Sequence, residues 1–157
     1  MTTTVLLSTC LVLHIIGLTV MAGVTLIDTI IYRQFWKQYN TNQVKAAGTL
    51  EAAGKLTVLF GVGFLLLLLS GVGIMLLTKG IFGEQTWFRI KMILVIAVVI
   101  NGQAFGRRTG IQVQKACAAE NSSALSLAGL KRKLSVIHLL QLGLFLAIFI
   151  LGVFKFN

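Results

Sequence analysis

Four long apolar stretches make up most of this chain, at residues 4–31, 56–78, 90–105 and 134–154. Each approaches or exceeds the roughly 20 residues that a helix needs to cross the hydrocarbon core of a bilayer. Hydrophobic residues form 57% of the 157-residue sequence and charged residues 11%, a balance typical of membrane proteins. The sequence therefore predicts an all-α integral membrane four-helix bundle, one domain over residues 1–157, with membrane helices at about 4–31, 56–78, 88–106 and 134–154.

Basic residues are concentrated in the connections between the apolar stretches. Four Lys or Arg residues and one Glu lie between the first and second stretches, and six Lys or Arg residues and one Glu lie between the third and fourth. The positive-inside rule therefore predicts that connections 32–55 and 107–133 are cytoplasmic and that both termini lie on the other side of the cell's inner membrane. Anionic lipid headgroups are the partners expected for these cations, and the net charge of +10 does not require nucleic acid.

The helices are expected to continue past the bilayer because the chain contains no proline. Residues 28–39 and 110–119 keep good helix formers, so the first and third helices are predicted to extend into the cytoplasm. Turns are predicted at residues 40–42 and 120–123, where serine side chains would cap the fourth helix.

The connection between the second and third helices is short. Residues 79–86 contain Gly80 and Gly83, which predicts a tight turn with these two helices as antiparallel neighbours. The bundle is then two antiparallel hairpins. Small residues in the second helix favour close packing between helices, and a large lipid-facing surface favours a homo-oligomer.

Polar residues inside the apolar stretches are the candidates for a functional site, because ionisable groups at membrane depth are rare and usually face the bundle interior. His14, Met21 and Asp28 recur every seven residues in the first helix, so they share one face of it. The third and fourth helices supply the facing polar residues, which are Arg89, Lys91, Asn101, Gln103, Ser135, His138 and Gln141.

Counting along the helices gives the depth of each candidate. At about 1.5 Å per residue, His14 is level with Lys91 in the outer half of the bilayer, whereas His138 is in the inner half with Asn101. The two histidines are then separated by about 12 Å or more in depth, which argues against both binding one haem iron. His14 is the favoured site residue, while a structural hydrogen bond is an equal alternative for His138. Arg89 and Lys91 could equally reach lipid headgroups.

Three segments of the chain carry a resemblance to a known group of proteins. These are LHIIGLTVMAG at 13–23, LSGVGIMLL at 69–77 and WFRIKMILVIAVVINGQAFGRR at 87–108. Together they resemble the four-helix membrane proteins grouped around the bacterial membrane-bound protoporphyrinogen oxidases and the copper-resistance-D-type domains. The matching positions are His14, Trp87, Lys91, Arg107 and Arg108.

The resemblance implies binding of b-type haem or a related porphyrin, as in a membrane oxidoreductase or electron carrier. His14 would be the axial iron ligand, Lys91 and Arg89 would lie near the haem carboxylates, Met21 would line the pocket, and His138 is a further cofactor-binding candidate. The chain departs from the group in its third helix, which has Asn101 and Gln103 where a histidine is expected, and in its fourth, which lacks an asparagine, glutamate and proline run. These departures argue against protoporphyrinogen oxidation itself.

A competing hypothesis is a non-enzymatic channel, transporter or membrane assembly subunit. In that case His14, Asp28, Asn101 and His138 line a path for protons or ions. The chain is also similar in length and helix number to the membrane-associated eicosanoid and glutathione enzymes. Their ionisable signature on the second helix is absent, because residues 56–78 hold no ionisable side chain.

Overall fold

The computed structural model describes residues 2–39, 41–118 and 124–154, which are helical apart from short turns. The elements in chain order are α1 (Thr3–Tyr39), α2 (Gln43–Leu77), a 3-10 turn (Ile81–Glu84), α3 (Thr86–Val99), a π-helical segment (Ile100–Gly106), α4 (Arg107–Ala118) and α5 (Ala124–Phe154). The elements α3, π segment and α4 follow one another without a break, and we call them together the rod. Four helical stretches are long and apolar enough to cross a membrane. The predicted all-α membrane bundle is confirmed.

All four helices are longer than a bilayer core requires. Helix α1 has 37 residues, or about 55 Å, against a hydrocarbon thickness of about 30 Å. The extension of the first and third helices is as predicted. Helices α2 and α5 also extend beyond their apolar stretches, beginning at Gln43 and Ala124, directly after the positions predicted for turns. The extra turns of α2 are stabilised because Ala46, Leu50 and Ala53 are buried at helical spacing.

Different turns separate the helices at the two ends of the bundle. Asn42 caps α2, its side-chain oxygen accepting a hydrogen bond from the Lys45 backbone N–H at 3.0 Å. The predicted turn at 40–42 therefore lies where expected, while the one predicted at 120–123 falls outside the described residues. At the other end Lys79 (φ 52°) and Gly80 (φ 74°) adopt left-handed backbone conformations that end α2. We call the end with the 40–42 turn the basic end.

Helices α1 and α2 pack against each other along their length through small residues. A Cβ atom at Gly17 would lie 2.8 Å from the Gly63 carbonyl oxygen, and one at Gly73 would lie 3.0 Å from the Cys10 sulfur. Close backbone approach of this kind is how membrane helices gain packing energy, since lipid supplies no hydrophobic drive between them. These glycines therefore serve packing.

The second hairpin is formed by the rod and α5, and α3 packs mainly on α5. Within the described residues, the main chains of α2 and α3 approach each other only sparsely, so these predicted antiparallel neighbours meet through side chains. The short 79–86 connection joins the two hairpins, but it does not bring the main chains of α2 and α3 into close contact. Side chains still meet in a shared core, where Phe60 and Leu67 of α2 reach Val98 of α3.

Two separate apolar clusters fill the bundle. The membrane core is made of Leu18, Met21, Val24, Phe60, Leu67, Val98, Phe145 and Ile148. The basic-end core is made of Tyr32, Phe35, Ala46, Leu50, Ala53, Val113 and Leu134. Polar residues of α1, the rod and α5 lie between these clusters.

Candidate functional site

An aspartate and a histidine are in hydrogen-bond contact between the two cores. The Nε2 atom of His138 on α5 lies 3.0 Å from the Oδ2 atom of Asp28 on α1. The His138 side chain is 10% exposed and that of Asp28 is 26% exposed. Asp28 is the only aspartate of the sequence. A buried ionisable group requires a partner, and each of these two side chains supplies one for the other.

The pair lines a cavity of about 360 Å³ enclosed by α1, α2, the rod and α5. This volume lies near the lower end of the range usual for small-molecule sites, about 300–1,000 Å³. The polar residues that line it are Thr25, Asp28, Tyr32, Thr57, Gln103, Arg107, Gln114, His138 and Gln141. Apolar residues from both cores complete the wall.

The π segment holds one side of the cavity in place. Asn101 Nδ2 donates to the Ile137 carbonyl at 3.0 Å and to Gln141 Oε1 at 2.7 Å. Gln141 Nε2 in turn donates to the Val98 carbonyl at 3.0 Å. Both side chains are buried. This reciprocal pair connects the π segment to α5 one turn away from His138, and π turns are frequent at functional sites.

Glycines at every fourth position let the rod approach the cavity closely. Gly102, Gly106 and Gly110 all line it. A Cβ atom at Gly102 would lie 3.2 Å from the Phe60 ring, and one at Gly110 would lie 2.8 Å from the Tyr32 hydroxyl oxygen. Larger residues on this face of the rod would fill the space beside Asp28 and His138.

Charges around the cavity are few and balanced. Asp28 and Tyr32 come from α1, His138 from α5 and Arg107 from the rod, while α2 contributes no ionisable side chain from its described lining residues. The Tyr32 and His138 ring centroids are 5.5 Å apart. A carboxylate bonded to one imidazole nitrogen fixes the position of the ring, so the pair can accept or release a proton at a fixed place.

His14 belongs to a different site about 20 Å away. It stands 14 residues before Asp28 on α1, a separation of about 21 Å along the helix. Its Nδ1 atom lies 3.1 Å from the Ser70 hydroxyl, which itself donates to the Leu66 carbonyl at 2.6 Å. A hydroxyl has one hydrogen to donate, so Ser70 accepts from Nδ1–H and the lone pair of His14 lies on Nε2. Lys91 of α3 is close enough to act electrostatically on His14.

The remaining predicted site residues lie apart from these two histidines. Met21 is 1% exposed in the membrane core, and its Cγ atom would be 2.9 Å from a Cβ at Gly63. Arg89 is exposed, and its Nε donates to the Gly83 carbonyl at 3.1 Å. The structure thus brings His14 and Lys91 near each other and places Met21, Arg89 and His138 elsewhere.

Several cavity residues were missed by reasoning from the sequence. Tyr32 was not among the predicted site residues, Arg107 was named only for the resemblance, and the Gly102–Gly106–Gly110 spacing passed unnoticed although it is a visible signal of close approach on one helix face. Comparison of the chain with models of protein families, with curated proteins and with solved structures finds no match. The resemblance to the haem-binding group therefore stays a prediction.

Proposed function

We propose that this integral membrane protein belongs to the transporter class, binding a small ligand in the cavity between its helices in a way that is coupled to a proton shared by Asp28 and His138. One observation carries the proposal: the only aspartate of the chain meets a buried histidine at 3.0 Å on the wall of a cavity of about 360 Å³. Ionisable residues within membrane bundles commonly mark ligand paths and proton relays.

The chemistry follows from the two positions available to one proton. The proton lies on His138 Nε2 and is donated to Asp28, or it lies on the Asp28 carboxyl and is donated to the imidazole. A ligand that donates to or accepts from the exposed side of Asp28 favours one arrangement over the other. Binding is thereby coupled to protonation without a further acid or base.

The orientation in the membrane belongs to the proposal as well. Facing the basic end toward the cytoplasm of a cell's inner membrane satisfies the positive-inside rule and brings its cations to anionic lipid headgroups. The cavity is then reached from the cytoplasmic half of the membrane.

Isotope labelling tests the proposed sharing of a proton at one atom. Because Asp28 is the only aspartate, protein labelled with ¹³C at the aspartate carboxyl gives one side-chain signal in nanodiscs. We expect this signal to change as pH is lowered, and His138→Gln to alter the profile. His14→Gln, at the distant histidine, is the matched control and should leave it unchanged. A carboxyl signal that ignores pH, or that responds equally to both variants, overturns the proposal.

A second candidate function, haem binding at His14, is favoured by the Ser70 contact. Orienting an imidazole through its other nitrogen is the usual arrangement behind a metal ligand, and it leaves Nε2 of His14 for iron. Lys91 supplies a cation for the haem carboxylates. Bound haem would supply one-electron transfer. His14 would hold the iron and Lys91 would face the carboxylates, whereas the cavity of about 360 Å³ is lined by His138 and not by His14.

An optical spectrum of the purified protein from haem-replete cells tests this second candidate. A Soret band lost in His14→Ala and kept in His138→Ala supports it. A colourless protein, or a band that survives His14→Ala, excludes a haem at this residue.

A further inference from the structure

We propose that the ligand is an amphiphile with a compact, uncharged ring head bearing carbonyl or hydroxyl groups and an apolar tail, of the isoprenoid quinone type, and that its head enters the cavity sideways from the lipid leaflet at the basic end. This inference rests on the proposed function, since it concerns the ligand of the same cavity. The position of the opening of the cavity supports the inference.

The opening lies between α2 and the rod, whose main chains approach only sparsely. Gly54 and Val58 of α2 and Arg107 and Ile111 of the rod line the cavity at this side. Val58 is 72% exposed and Ile111 is 42% exposed, so their outer surfaces face the surroundings of the bundle. We call these four residues the window.

Contacts across the gap bound the window above and below. Toward the membrane core, the Phe60 ring lies 3.2 Å from the position of a Cβ at Gly102. Toward the basic end, the Gln114 side chain lies 3.9 Å from the position of a Cβ at Gly54. The basic-end core packs beyond Gln114, so the described residues block entry along the bundle axis from that end. Within the described part of the chain, the ligand can therefore enter only from the side of the bundle, between α2 and the rod.

The height of the window corresponds to the lipid headgroup region. Lys55 follows Gly54, and Arg107 and Arg108 stand at the end of the third apolar stretch. Cations at this position mark the boundary between hydrocarbon and headgroups. A molecule that uses this window therefore carries a polar head at the boundary and an apolar part in the leaflet.

The residues that line the cavity determine which head group of the ligand can bind there. Gln103, Gln114, Thr57 and Tyr32 offer neutral hydrogen-bonding groups, and the single carboxylate of Asp28 is matched by the single guanidinium of Arg107. This balance favours an uncharged head over a phosphate, because a phosphate would bring its charge beside the Asp28 carboxylate. A volume of about 360 Å³ suits a single-ring head.

The test uses a short-chain isoprenoid benzoquinone as the probe and the ¹³C-labelled Asp28 carboxyl as the reporter in nanodiscs. We expect the probe to shift the signal in a saturable way. Gly54→Leu places a side chain across the window and should weaken binding about tenfold or more. Gly61→Leu is the matched control two turns away on α2, where a Cβ would meet nothing within 4 Å, and it should bind as the parent does.

Each result decides the inference. Loss of binding in Gly54→Leu alone, with the pH response of Asp28 retained as proof of folding, supports it. Equal binding by both glycine variants overturns sideways entry. A parent protein that ignores the probe while Asp28 still responds to pH overturns the ligand class and leaves the proposed function standing. An anionic phospholipid that reproduces the shift and displaces the probe assigns the cavity to an ordinary lipid and also overturns the inference.

Discussion

Asn101 and Gln141 join the π segment to α5 through a side-chain hydrogen bond of 2.7 Å, with both residues buried. Asn101 also donates to the Ile137 carbonyl of α5, and Gln141 also donates to the Val98 carbonyl of α3. Removing one partner leaves a buried polar group unsatisfied, at a cost of about 1–3 kcal/mol.

The first prediction follows from this bond. We expect Asn101→Leu and Gln141→Leu each to lower the free energy of unfolding, and the double variant to lose less than the sum of the two. The coupling should be about 1 kcal/mol, as found for hydrogen bonds between membrane helices. Steric trapping in bicelles measures these values. Additive losses would show that the two amides act independently.

A second prediction concerns the close approach of α1 and α2. Gly17→Ala places a methyl group 2.8 Å from the Gly63 carbonyl oxygen and should destabilise the protein by about 1–3 kcal/mol through overpacking. Gly23→Ala, on the same helix with nothing within 4 Å of its Cβ, should be neutral or slightly stabilising. Thermal unfolding in detergent distinguishes the two variants, and equal midpoints would contradict the packing described.

A third prediction concerns the contact between Tyr32 and Gly110, where a second substitution should rescue the first. Gly110→Ala brings a methyl group 2.8 Å from the Tyr32 hydroxyl oxygen, whereas the ring carbon that bears this oxygen is 3.9 Å away. We therefore expect Gly110→Ala to destabilise the protein and Tyr32→Phe to restore most of the loss when added to it. Unfolding midpoints of both single variants and of the double variant give the comparison. If Tyr32→Phe does not restore the stability lost in Gly110→Ala, the added methyl group does not clash with the Tyr32 hydroxyl.

The fourth prediction tests which end of the bundle is cytoplasmic. In a background of Cys10→Ser and Cys117→Ala, a cysteine is introduced at exposed Gln112 near the basic end or at exposed Thr3 at the opposite end. A membrane-impermeant maleimide should label Thr3→Cys in right-side-out vesicles and Gln112→Cys only in inverted ones. The reverse pattern would invert the orientation proposed from the basic residues.

Much of the bundle was predictable from the spacing of polar residues. The seven-residue recurrence of His14, Met21 and Asp28 predicts one inward face, and all three residues do contact the bundle interior. The count along the helices predicts two separated histidines, and His14 and Asp28, the partner of His138, lie about 21 Å apart on α1. Periodicity and rise per residue are enough for such inferences, because both are properties of one helix.

The partner of each polar residue was not predictable in the same way. Asp28 and His138 are 110 positions apart in the sequence. Their contact depends on how α1 and α5 are rotated about their own axes, and the periodicity of one helix does not determine that rotation. The starts of α2 and α5 were predictable from the polar residues before them, because such residues favour turns and helix caps. The π segment carried no sequence signal at all.

That π segment decides which face of α4 looks into the bundle. Each residue of a helix turns the chain by about 100°, so a wider turn over residues 100–106 sets the phase of everything after it. Deleting one residue there would turn Gly106, Gly110 and Gln114 away from their neighbours Ile137, Tyr32 and Gly54, while leaving α3 in register. The local winding of seven residues thus sets how α4 is rotated against the other helices.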